Sequence, residues 1–361
     1  MADTFKNKIK RLELENFTCF GKVAMDFSPG INVFIGENGT GKTHLLKVLY
    51  AMVVRKDPHL IMSDISRKLR NCFKTPLLNK LLRNTTKGQE SHLVITLELG
   101  GKRYGNPIVW HFEINDDKIN HEVLNEFAKK PFEIESLFIP SNEIISVHKG
   151  FISTYQKREL SFDETYFDLA VALEATPLIN GAANEAENLI KGLKATIGVE
   201  VRKPEDKFLI TLKNESQELE AHFVAQGINK LAQLIRLIEN GSLTKDTILF
   251  WDEPEANLNP KYILVVAKFL QTLANAGCQI FVATHDYLLP YELSNSVEYK
   301  DVIEEEVPDM KFFSLYKGED GTEVEEGATM SDLHHDAIMD GLGIHNERED
   351  ILFRKSVNPK A

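Results

Sequence analysis

The chain has 361 residues, of which 43% are hydrophobic and 27% charged, and a formal net charge of −12. That length holds one large domain or two, either with a substantial core, and the acidic balance disfavours a surface coated for nucleic acid while leaving room for a local basic patch. Cys19, Cys72 and Cys278 are far apart with no C-x-x-C spacing, no apolar run approaches membrane-spanning length, and the charged N-terminus lacks a signal-peptide core, so a cytoplasmic protein without disulfide, zinc or membrane is expected.

In chain order, Lys8 to Phe17 alternates apolar and charged residues and predicts a strand, with a second at Val23 to Phe27. Phe17, Phe20 and Phe27 are read as buried aromatics, with an adenine contact as the alternative. Residues 32–35 are a short apolar strand, followed by Gly36-Glu37-Asn38-Gly39-Thr40-Gly41-Lys42-Thr43, which fits G-x-x-x-x-G-K-[ST] at every fixed position. His44 to Tyr50 then has helical spacing. Glycines let this loop wrap an anion, successive backbone N–H groups of residues 36–43 converge on phosphates, and the helix start adds its positive dipole end. Lys42 is expected to reach the β- and γ-phosphates and Thr43 to offer its hydroxyl to Mg²⁺.

Residues 65–87 are basic, with Arg67, Lys68, Arg70, Lys74, Lys80, Arg83 and Lys87. They read as a solvated amphipathic helix pair, or as a DNA or partner contact. Strands are predicted at His92–Leu99, Ile108–Ile114 and Leu137–Pro140, the last followed by Ser141, Asn142 and Glu143 at a strand end. Phe162 to Ile197 predicts helices broken near Thr176-Pro177 and Gly181, and 199–212 predicts strand.

Residues 223–240 predict a helix opened by Gly227. The apolar strand Thr247–Trp251 ends in Asp252-Glu253-Pro254. A buried strand so placed delivers Asp252 to Mg²⁺ and sets Glu253 to polarise water. A helix at Tyr262–Ala274 leads to the strand Gln279–Ala283, which ends at Thr284-His285-Asp286. The last segment is acidic, with one strand at Phe312–Tyr316 and a weak helix at Leu333–Leu342, and reads as a solvated tail with one docked strand. His334-His335 lacks metal-ligand spacing.

Together these motifs resemble the ABC-type ATPase heads of the SMC, RecF and OLD superfamily, and especially compact bacterial ATPases that stand beside effector proteins in antiphage systems such as Septu and PARIS. The resemblance implies an α/β P-loop NTPase fold: a mixed sheet core with antiparallel edge strands and an inserted helical lobe. It implies one head over 1–361, with 1–55 and 223–297 as nucleotide-binding core, 56–222 as the lobe and 298–361 as an acidic C-terminal segment. It further implies ATP and Mg²⁺ as ligands, Asp252 as the metal carboxylate, Glu253 as general base and His285 as a switch histidine facing the γ-phosphate. Ala225-Gln226-Gly227-Ile228-Asn229-Lys230 takes the place of the signature, which in that family covers ATP bound by a second head. Gly227 and Lys230 are accordingly expected to bind nucleotide in a homodimer or higher homo-oligomer. Ala225 replaces the signature serine, Asn259 replaces an aspartate, and only Asn142 or Glu143 can stand in for a glutamine loop. The expected function is a slow ATPase that gates a separate effector, a nuclease or toxin. The alternative is a RecF-like DNA-repair ATPase; a self-contained OLD-type nuclease would need more chain than follows Asp286.

Overall fold

The computed structural model describes residues 8–53, 61–83, 93–100, 108–115, 118–123, 134–158, 160–213 and 217–357. The phosphate-loop strand, β3 (Ile31–Gly36), is buried along its whole length. Such a strand needs apolar residues on both faces: Ile31, Val33 and Ile35 enter one hydrophobic core, and Phe34 enters the other. The exception is Asn32, whose amide bonds Ser28 and so closes the turn before the strand.

The strands beside β3 are all parallel to it or to one another. β12 (Gln279–Ala283) lies on one side, followed by β11 (Ile248–Asp252) and β7 (Ser136–Ile139). On the other side lies β13 (Met310–Gly318). Beyond it come β14 (Gly321–Gly327), β2 (Phe20–Asp26), β1 (Lys8–Phe17), β4 (Leu93–Gly100), β5 (Ile108–Asn115) and β6 (Lys118–Val123). The two N-terminal strands are antiparallel, as their place ahead of the loop predicts. A separate three-stranded sheet is built from β8 (Val199–Arg202), β9 (Leu209–Leu212) and β10 (Leu219–Glu220).

Each of the five parallel strands contributes one phenylalanine or stacked neighbour to the same face. Phe138, Phe250, Phe281, Phe34 and Phe313 form a continuous row, with centroid separations of 6.5, 5.1, 6.3 and 4.9 Å. Helix α1 (Lys42–Met52) covers this row through Leu45, Leu46, Val48, Leu49 and Tyr50. α2 (Ile61–Cys72) lies beyond it. The opposite face is packed by α5 (Asn180–Ile197), α6 (Gln226–Glu239), α7 (Pro260–Ala276) and α8 (Leu288–Glu298), with α3 (Phe151–Lys157) and α4 (Glu164–Glu174) alongside.

Three expectations are refined. The one docked strand expected in segment 298–361 is not peripheral: β13 sits in the middle of the sheet against the phosphate-loop strand, and Phe312 and Phe313 are fully buried. The segment's final helix, α9 (Ala337–Val357), is 21 residues long where a weak helix over Leu333–Leu342 is expected. Segment 56–222, expected as an inserted lobe, supplies β7 to the parallel core and β4 to the antiparallel wing. Alternation reveals a strand but not its neighbours, which is why the sequence did not show where the strands of these segments sit. Phe17, Phe20 and Phe27 are buried and do not face a base. In the basic stretch, Lys68 turns inward to Glu164 at 3.4 Å and to Asp168, while Arg67 and Arg70 face solvent. Residues 84–92, including Lys87, lie outside the described residues.

Phe313→Ala should lower the unfolding free energy by about 3–5 kcal/mol, as for other large aromatic truncations in a core. Chemical denaturation checks this, and a change near zero would return the C-terminal segment to the status of a tail.

Candidate nucleotide site

Because β3, β12 and β11 are adjacent and parallel, their carboxyl ends open at one edge of the sheet. That edge is where open α/β sheets take ligands. The loop after β3 turns on glycines with left-handed backbones, Gly39 at φ 83° and Gly41 at φ 95°. At Gly36 a Cβ would lie 2.2 Å from the Leu315 carbonyl of β13, and at Gly41 it would lie 2.3 Å from the Cys19 sulfur. Glycine is therefore required by close approach of neighbouring chain as well as by φ. Glu37, Asn38 and Gly39 are exposed at the rim. Thr40 is buried, and its hydroxyl is spent on the Glu37 carbonyl at 2.8 Å.

Lys42 is the first residue of α1, and its ammonium donates to the Gly36 carbonyl at 2.7 Å and the Glu37 carbonyl at 3.0 Å. The side chain thus lies along the loop it is expected to serve. Burial lowers its pKa, while Asp252, Glu253 and Glu255 oppose that shift. Thr43 donates its hydroxyl to both Asp252 oxygens, at 2.9 and 3.1 Å. This contact joins residues 209 apart in sequence. Burial pushes the Asp252 carboxyl up to about 6 against the Thr43 hydrogen bond. A buried carboxylate beside a threonine hydroxyl at a phosphate loop is a donor set that suits Mg²⁺.

Glu253 has φ 48°, a left-handed conformation that non-glycine residues adopt at a cost of about 1–3 kcal/mol. Its amide continues the β11–β12 ladder to the Ala283 carbonyl at 2.8 Å. His285, just beyond β12, places Nδ1 3.3 Å from a Glu253 oxygen and 3.7 Å from a Glu255 oxygen. The structure thus brings Lys42, Thr43, Asp252, Glu253 and His285 to one edge, as the sequence leads one to expect. The sequence reading passed over Glu255, although three acids in the four residues Asp252-Glu253-Pro254-Glu255 were a usable signal.

The signature residues divide. Ala225 and Gln226 are exposed at the start of α6. Gly227 packs within its own chain: a Cβ there would lie 2.5 Å from the Asn257 carbonyl. Lys230 is 2% exposed and does not face a ligand. Its ammonium lies under the turn after β11 and donates to the carbonyls of Glu253 at 2.8 Å and Ala256 at 3.0 Å. Burial pulls its pKa down to about 8. Its expected contact with nucleotide is therefore replaced by a structural one. Asn259 caps α7 by accepting from the Lys261 amide at 3.1 Å. Glu143 spends its carboxylate on Ser146. His334 and His335 both hold Glu325, and no metal-binding cluster occurs among the described residues.

Residues 8–236 match the family model of an AAA ATPase domain. The chain belongs to that family. It is 37% identical over 143 residues to the DNA replication and repair protein RecF of Pediococcus pentosaceus, a stretch covering 39% of this chain and 33% of the relative. It is 48% identical over 48 residues to RecF of Streptococcus uberis, covering 13% of each. The matched stretches thus span a third or less of these relatives. An SMC head bound to the C-winged helix domain of ScpA superposes with a TM-score of 0.57 at 13% identity, over 90% of this chain and 98% of that one. The SMC head domain of Thermotoga maritima gives 0.51 at 12% identity, over 88% and 98%. At such identities the likeness is one of fold, and the fold is that of the ABC-type P-loop ATPase heads of these SMC proteins. Among the described residues no helix is long and apolar enough to cross a membrane.

Lys230→Met should destabilise the chain by about 1–3 kcal/mol, since it strips buried carbonyls of their donor. Denaturation midpoints check this, and an unchanged midpoint would show that the turn does not depend on the ammonium.

Proposed function

We propose that this chain is a Mg²⁺-dependent ATPase whose heads pair around ATP and thereby regulate a separate effector protein. The observation that carries the reading is the Thr43–Asp252 contact at 2.9 Å, which unites the phosphate loop with the acidic strand end. Thr43 and Asp252 would hold Mg²⁺, which supplies charge neutralisation for the β- and γ-phosphates. Lys42 and the loop amides stabilise charge on the transferring phosphoryl group. Glu253 takes a proton from the attacking water, and His285 holds the γ-phosphate. With Ala225 in place of a serine, one covering hydroxyl is lost, which favours slow, switch-like turnover.

Three supports bear on partner and setting. The SMC head noted above carries a domain of ScpA, so this fold can present a surface to another protein. The exposed signature start gives a surface for a second head. The sequence resemblance to antiphage ATPases suggests a nuclease or toxin as effector. The RecF relatives keep a second reading open, a DNA-binding repair ATPase, for which exposed Arg67 and Arg70 are candidate contacts.

Glu253→Gln should bind ATP but hydrolyse it at least ~100-fold more slowly, the scale of a lost general base. Single-turnover assays check this, and wild-type turnover would remove Glu253 from the role. Pairing is best tested at Ala225, because any side chain at Gly227 meets Asn257 within the same head. Ala225→Arg in the Glu253→Gln background should abolish ATP-dependent dimers in sedimentation while changing the ATP affinity of a single head by less than about twofold. Persistent dimers would remove the signature surface from the interface.

A further inference from the structure

Glu255 has no part in the chemistry described above, yet it is a carboxylate only 8% exposed beside the reacting groups. Its Oε1 accepts from the Thr284 hydroxyl at 2.8 Å and from the His285 amide at 3.3 Å, and it lies 3.7 Å from His285 Nδ1. Its Oε2 is buried with no hydrogen-bond partner among the described residues. A buried carboxylate with one oxygen unsatisfied is costly, so a purely architectural role is better filled by an amide or a hydroxyl. The His285 side chain, in contrast, is half exposed. Nothing in its own burial fixes an imidazole that must meet a phosphate.

We propose that Glu255 is a positioning residue, which holds the end of β12 through Thr284 and the His285 amide and so fixes the His285 ring against Glu253. The role rests on the ATPase reading above. Two carboxylates face one side of the ring, Glu253 at 3.3 Å and Glu255 at 3.7 Å, and their negative charge favours the tautomer with its proton on Nδ1. The other ring nitrogen is then left for the nucleotide. An acid behind a histidine does the same in hydrolytic triads, where it sets tautomer and orientation without reacting itself. Lys230, whose ammonium lies beneath the same turn, stabilises the negative charge of Glu255 without bonding to it.

Glu255→Gln keeps an acceptor for Thr284 but removes the charge that faces the ring. It should lower kcat by about tenfold or more, as partners standing behind ligating histidines do, with ATP affinity nearly unchanged. In a His285→Ala background the same change should cost less than about twofold, because the residue then has nothing to position. An equal loss in both backgrounds would overturn the proposal and leave Glu255 a structural residue. If Glu255→Gln does not fold, Thr284→Val removes the hydroxyl from the other side of the contact and enters the same cycle. Nitrogen NMR of the His285 ring, recorded without nucleotide, gives an independent reading. The Nδ1 resonance should move toward its unprotonated position in Glu255→Gln, and an unmoved resonance would overturn the proposal. Loss of the ATPase reading would show separately, as turnover indifferent to Glu253→Gln.

Discussion

The hydrogen bond from Thr43 to Asp252 is the contact on which the nucleotide end of this molecule depends. It spans the gap between two strands that are not neighbours, with β12 lying between β3 and β11. It can form only because all three strands run in the same direction and end at the same level. The buried aromatic row beneath α1 holds that level, since each ring is wedged against the ring on the next strand. A slip of one residue in any of these strands would turn its phenylalanine to the other face and carry the site residue out of reach. The chemistry of the edge is thus a consequence of register deep in the sheet.

The turn after β11 is the second constraint. Glu253 is held with a left-handed backbone, and the ammonium of Lys230 gathers the carbonyls around it. A cation in this place neutralises the converging carbonyl dipoles and faces the acids of the turn at the same time. Helix α6 is therefore bound to the turn after β11 from below by Lys230 and lies close to it at Gly227, where an added Cβ would stand 2.5 Å from the Asn257 carbonyl. Any motion of the helix start must carry the turn with it.

How much of this could be read in the sequence follows from locality. Phosphate loop, Asp252-Glu253 and His285 were legible because each is a short motif that ends a buried apolar strand. The antiparallel pair at the N-terminus was legible from alternation. What the sequence concealed was adjacency. The family resemblance marked Lys230 as part of the signature but could not show that the turn after β11 lies over it. Phe312 and Phe313 marked a strand but not its seat beside β3. Glu255 drew no reading from the sequence, and only its burial and its bonds to Thr284 and His285 distinguish it.

The central seat of β13 bears on how the chain is made. β3 is synthesised early, yet its partners come late: Ile31 pairs with Ile280 on one side and with Met310 on the other. Roughly 250 residues separate the first of these partners, so at ribosomal rates of about 5–20 residues per second a mostly apolar strand waits on the order of 10–50 s for its neighbours. During that interval its unpaired edges are open to other chains. The nascent protein is thus most exposed to aggregation through the very strand that later carries the phosphate loop, and it needs protection until the last sixth of the chain has emerged.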